Sequence, residues 1–139
     1  MCALKPMQSE VKDMSNVVVL TGAAGGIGRS IVKCLVREGY TVLAGDISIP
    51  KSLHGKSDPE IEKGTVVLQS LDIRSRRSCA SAAKAASKLG RIRGLINCAG
   101  IVRFTPVDAP NEKGALEVWD TNVAGMQRMD QAIVPHMSK

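Results

Sequence analysis

The sequence predicts an α/β domain: a Rossmann-type parallel sheet of order 3-2-1-4 with flanking helices, truncated before the fifth strand. Three observations lead there. Short β-branched apolar runs alternate with longer segments of helical periodicity, the pattern of β-α-β units, which close right-handed into a parallel sheet. The first run, Asn16 to Thr21, is Asn-Val-Val-Val-Leu-Thr without polar alternation, as expected of a strand covered by helices on both faces. It breaks at once into glycine and then into a helix-periodic segment.

Each element follows in order. Residues 1–15 read as an N-terminal extension, mixing Lys5, Glu10, Lys12 and Asp13 without the apolar core of a secretory signal. After the first strand, residues 27 to 38 place Ile27, Ile31, Cys34 and Leu35 at helical spacing, and Gly39 supplies the stop. Thr41 to Gly45 is a second strand that ends at Asp46. Residues 48 to 64, with Pro50, Gly55, Pro59 and Gly64 among polar residues, read as a surface loop with at most one helical turn. Thr65 to Leu68 is the third strand and Ser75 to Leu89 the next helix. One side of that helix is small and apolar (Cys79, Ala82, Ala83, Ala86, Leu89), and the other carries Arg77, Lys84 and Lys88. Gly94 to Asn97 is the fourth strand. A long helix then starts at Asp108 as N-cap, with Pro110 in its first turn, and runs to about His136. Its Trp119, Val123 and Met126 are expected to face inward.

Composition narrows the function. The chain has 139 residues, 44% of them hydrophobic, which is one domain, and at this size about 68–70% of the surface can be buried. No apolar run approaches the roughly 20 residues of a bilayer span, so no membrane is expected. Four cysteines, Cys2, Cys34, Cys79 and Cys98, form no Cys-x-x-Cys pair, and His54 and His136 stand far apart. Neither a disulfide framework nor a metal site is indicated, and a cytoplasmic location is expected. The net charge is +6, and residues 73 to 107 carry eight basic residues and no acid. A solvated helix face accounts for that run better than nucleic acid does, since only Tyr40, Phe104 and Trp119 are aromatic and base stacking has little to work with.

The residues that carry chemistry lie at strand ends. The first turn, Thr21-Gly22-Ala23-Ala24-Gly25-Gly26-Ile27-Gly28, stands between strand and helix. Glycines there let the backbone turn sharply and approach a pyrophosphate, which meets free N–H groups and the positive end of the helix dipole. Asp46 follows Gly28 at nearly the separation expected of the acid that accepts hydrogen bonds from an adenosine ribose. A carboxylate at that point repels a 2′-phosphate, and no basic residue stands in the turn before Gly28 or directly after Asp46. NAD is therefore expected in preference to NADP.

These spacings resemble the short-chain dehydrogenase/reductase family, with Thr-Gly-x-x-x-Gly-x-Gly after strand 1, an acid after strand 2, Asp-Ile after strand 3 and Asn-Asn-Ala-Gly after strand 4. Here they are Thr21 to Gly28, Asp46, Asp72-Ile73, and Asn97-Cys98-Ala99-Gly100. The resemblance implies an NAD(P)-dependent oxidoreductase that interconverts an alcohol and a ketone. It assigns the cofactor to Thr21, Gly22, Ala24, Gly25, Gly26, Ile27, Gly28, Asp46, Asp72, Ile73, Asn97, Ala99 and Gly100. Asp72 and Ile73 would flank the adenine, Asn97 would brace the central strand, and Ala99 and Gly100 would leave room for the dinucleotide. Cys98 departs from the pattern and reads as a small buried thiol. Asn122 matches the family's helix Asn, one of an Asn, Ser, Tyr, Lys group, which holds a water in the proton relay. The alternative is a satisfied core amide. The family's Ser and Tyr-x-x-x-Lys are absent, since Tyr40 is the sole tyrosine and position 44 is Ala. The sequence thus carries the cofactor half of the pattern and leaves two readings open. One is the cofactor-binding part of such an enzyme, with a complementing chain or a second copy as possible partner. The other is a dinucleotide-binding or interaction module without catalysis.

Overall fold

A computed structural model describes residues 15–49 and 66–137. Residues 50–64 of the expected loop and 1–14 of the N-terminal extension lie outside them. The described elements are β1 (Asn16–Thr21), α1 (Gly26–Arg37), β2 (Thr41–Asp46), β3 (Val66–Ser70), α2 (Arg76–Leu89), β4 (Arg91–Asn97), α3 (Glu112–Trp119), a π-helical segment (Asp120–Gly125), α4 (Met126–Ile133) and a final 3-10 turn (Val134–His136). The four strands are parallel and ordered β3-β2-β1-β4, as the sequence predicts.

The unbroken apolar run of β1 is explained by its central place. Val17 and Val19 point into one core layer with Leu43, Ile73, Cys79, Ala82, Ala86, Met129 and Ile133. Leu20 points into the opposite layer with Ala23, Val32, Val36, Val42 and Ala44. Period-two alternation therefore buries both faces at once. The apolar side of α2 packs as expected, while Arg77, Lys84 and Lys88 are exposed.

Two strands and one helix differ from expectation. β4 begins at Arg91 rather than Gly94, because its register against β1 shifts between Val17 and Val18 and passes over Arg93. Arg93 turns outward and its Nε donates to Asn16 Oδ1 at 2.8 Å, so two arginines bracket the buried Ile92 in what reads as a polar stretch. β3 runs on to Ser70.

The long helix starts later than Asp108. Its N-cap is Asn111, whose Oδ1 accepts from the Gly114 N–H at 2.9 Å, so Pro110 precedes the cap instead of occupying the first turn. Its inward stripe is also not the expected one. Thr121, Gly125, Met129 and Ile133 are buried, whereas Trp119 is 62% exposed and Val123 and Met126 also face solvent. At Gly125 the inner position takes a glycine because the backbone there runs close to Ile73. A Cβ at Gly125 would lie 2.8 Å from Ile73 Cδ1. After the 3-10 turn the chain reverses, and Met137 forms a parallel bridge with Ile92 at the amino end of β4.

Candidate active site: the carboxyl ends of the strands

Parallel pairing brings the chemistry-bearing residues to one edge. In register, Thr21 lies between Gly45 and Asn97, and Asp46 lies beside Ser70, so the exits of all four strands meet there. Thr21 is fully buried, and its Oγ1 accepts the N–H groups of Cys98 and Ala99, each at 3.1 Å. That hydroxyl sets how the β4 exit leaves the sheet. Gly22 has φ +70, and a Cβ there would lie 2.7 Å from the Ala99 Cα. The β1 and β4 exit loops thus touch at a point only glycine allows.

The turn into α1 is held by backbone and side chain together. The Gly25 N–H donates to the Gly22 carbonyl at 3.2 Å, and the Ala23 N–H to the Gly45 carbonyl at 3.1 Å. A Cβ on Gly28 would run into the Gly22 carbonyl oxygen, so glycine is required there for the helix to sit against the turn. Gly26 has open space where a side chain would stand. Asp46 Oδ2 accepts the Ala24 N–H at 2.9 Å, and Oδ1 accepts the Ser48 N–H at 3.1 Å.

Helix starts differ in how they are finished. α2 is capped by Ser75 and α3 by Asn111, but α1 begins at Gly25 with no side-chain cap and no acid in its first turn. Orphan N–H groups and the positive end of the dipole are thereby left facing a groove. Gly22, Gly25, Gly26, Ile27, Gly28, Asp46, Cys98, Ala99 and Gly100 line that groove. Ile27 is 74% exposed at its mouth, where a free-standing helix would place a polar residue. Cys98 is half-buried between the core and the groove instead of fully enclosed.

A second cavity of about 210 Å³ continues from the same residues, sharing Gly22, Asp46, Ala99 and Gly100. Asp72 and Ile73 belong to its wall. Arg74 closes on Asp72 through two side-chain bonds of 2.9 and 2.8 Å, and this guanidinium holds the Asp72 carboxyl below the usual carboxylate range. Ile73 is buried and packs toward Gly125.

Thr21 and Ala24 fix the turn without lining the groove, and Asn97 and Asn122 stand apart from its wall too. Asn97 Nδ2 donates to Asp130 Oδ1 on α4 at 2.9 Å, and its own Oδ1 is buried without a partner among the described residues. Asn122 sits in the π-helical segment and clamps Ile101, its Oδ1 accepting the Ile101 N–H and its Nδ2 donating to the Ile101 carbonyl, both at 2.8 Å. A Cβ on Gly100 would be 3.3 Å from Asn122 Oδ1, so the clamp lies directly behind the groove. Tyr40 immediately precedes β2, at the sheet's other end.

Sequence reasoning did not single out Arg29, Ile47, Leu71, Arg74, Ile101, Arg103, Glu117 or Thr121. All but Arg29 line the second cavity, where Arg103 and Glu117 pair at 3.2 Å. Arg74 was legible in principle, standing two residues past Asp72.

The chain matches the family model described as short chain dehydrogenase over residues 16–139. It belongs to that family. It is 33% identical over 133 residues to a 3-oxoacyl-[acyl-carrier-protein] reductase of Thermotoga maritima, covering 88% of this chain and 50% of that protein. A D-threitol dehydrogenase of Mycolicibacterium smegmatis is 31% identical over 126 residues, covering 87% and 47%. A solved hydroxysteroid dehydrogenase from Escherichia coli superposes with TM-score 0.76 at 29% identity, covering 88% and 52%. This short-chain dehydrogenase chain therefore spans about half the length of the curated relatives it matches. The family uses NAD(P). The exposed glycine backbone, the uncapped α1 and the acid beside it fit the diphosphate and ribose of such a molecule.

Proposed function

We propose that this chain binds NAD in preference to NADP and supplies the cofactor half of an oxidoreductase that interconverts an alcohol and its ketone. The observation that carries the reading is the uncapped start of α1, opening onto a backbone-lined groove with Asp46 at its rim. Gly22, Gly25, Gly26, Ile27 and Gly28 would hold the diphosphate through N–H groups, with Thr21 and Ala24 fixing the turn. Asp46 would accept the ribose hydroxyls while keeping a 2′-phosphate away. Asp72 and Ile73 would border the base, with Ala99 and Gly100 as the floor and Asn97 bracing β4 from behind. When bound, the dinucleotide supplies the hydride chemistry.

Asn122 would hold a water for the proton relay next to the groove, while its amide keeps Ile101 in place. The proton donor that an alcohol or ketone requires is not Tyr40, which stands at the other end of the sheet. Turnover thus draws on a Tyr and Lys from a completing segment or partner chain. The scattered cysteines support a cytoplasmic location.

Calorimetric titration of the 139-residue chain tests this. NAD is expected to bind at least about tenfold more tightly than NADP, the effect of one charge facing a phosphate. Equal affinities would sink the preference, and the absence of binding by either would sink the reading.

A further inference from the structure

We propose that Arg29 is a positioning residue for the diphosphate loop, acting with Asp46 to grip the Ala24 peptide from both ends. The Ala24 N–H donates to Asp46 Oδ2 at 2.9 Å, and the Ala24 carbonyl accepts from Arg29 Nε at 3.0 Å. A carboxylate thus meets the positive end of this one residue's backbone, and a guanidinium the negative end. Bonds with one ionised partner are roughly twice as strong as neutral ones, and both here are of that kind. Neither is needed to reverse the chain, because the Gly25 to Gly22 bond already closes the turn.

What the pair fixes is direction. Ala24 immediately precedes Gly25 and Gly26, where the uncapped N–H groups of α1 begin. Gly25 follows directly and Gly22 stands two residues before, so the backbone about Ala24 has freedom to turn unless side chains hold it. Arg29 is placed for the task because its own N–H bonds the Gly25 carbonyl at 2.9 Å, so one residue fastens the loop by main chain and side chain. Arg29 is also partly buried, which limits the alternatives open to its head group.

The inference takes its ligand from the dinucleotide reading, but its loop geometry stands without any ligand, and two measurements separate the two. In the ligand-free chain, amide hydrogen exchange at Ala24 and Gly25 is expected to rise about tenfold in Arg29→Met, the loss of one charge-assisted bond, while β1 and α2 exchange as before. Arg29→Lys restores a charged donor and is expected to recover most of that protection. In titrations, Arg29→Met is expected to weaken ADP about tenfold and to leave adenosine within about twofold, because only the former uses the loop. Unchanged exchange at both amides overturns the inference whatever the ligand does, and so does an equal loss for ADP and adenosine. If the unaltered chain binds no ADP while Arg29→Met still loosens Ala24 and Gly25, the dinucleotide reading fails and the grip on Ala24 stands.

Discussion

Asp46 answers two demands with one carboxylate. It holds the Ala24 and Ser48 N–H groups and stands at the groove rim. Asp46→Ala removes both the charge and the acceptor for Ala24, so it is expected to weaken NAD by about tenfold and to lose the preference over NADP, with an unpaired loop amide left behind. Asp46→Asn keeps an acceptor for Ala24 and removes the charge, so it should bring the two affinities together. Titration of both variants with both dinucleotides checks this, and an unchanged preference for NAD in either would contradict it. Asp72 makes a prediction of another kind. The Arg74 guanidinium lowers its pKa, so the pair stabilises the fold above the ordinary value of 3.8, and that stabilisation fades as pH falls through the lowered value. Arg74→Gln should cost no more than about 1 kcal/mol at pH 7, because the pair is partly exposed. The cost should begin to shrink once the pH falls below 3.8, as urea titrations at pH 7 and at successively lower pH would show. Asp46 was readable from its distance to Gly28. Its hold on Ala24 was not, because a hydrogen bond spanning 22 residues depends on where β2 ends relative to the turn.

Among the elements, strands were legible wherever β-branched residues cluster, as in β1 and β2. β4 was read short, since a bulge that expels Arg93 has no signature apart from the partner strand. The last helix was read on its wrong face. Apolar size pointed to Trp119, Val123 and Met126, but Thr121, Gly125, Met129 and Ile133 turn inward, and at Gly125 the close approach to Ile73 leaves room only for glycine. The π-helical segment adds to the mismatch, because five-residue hydrogen bonding shifts the phase on which helical periodicity relies. Gly125→Ala should thus destabilise by about 1–3 kcal/mol through overpacking on Ile73. Asn122→Ala strands both backbone groups of Ile101 and should cost a similar amount, about 1–3 kcal/mol. Urea denaturation measures both, and a neutral Asn122→Ala would mean that water replaces the clamp.

At the scale of the whole molecule, the apolar residues turned away from the sheet form a seam. Leu116, Trp119, Val123 and Met126 are all exposed and follow one another at spacings of three and four along α3, the π-helical segment and the start of α4. Isolated exposed side chains are ordinary, but a contiguous stripe invites association. Sedimentation velocity at micromolar concentration is expected to find the chain self-associated and Trp119→Glu shifted toward monomer; a monodisperse unaltered chain would refute this.

The central position of β1 also governs time. Its turn reaches Asp46 across 22 residues of chain, but Thr21 waits for Cys98 across 77. One flank of the most apolar strand can be covered early, and the other only after a large loop has closed. Parallel pairings of such separation are slow to form and leave apolar surface uncovered meanwhile. Refolding is thus expected to take milliseconds to seconds and not microseconds, with the β1–β4 seam closing last. During that interval the unpaired flank of Val17, Val18 and Val19 is the chain's most adhesive surface, which makes early contact with a chaperone more consequential here than in a helical bundle of equal length.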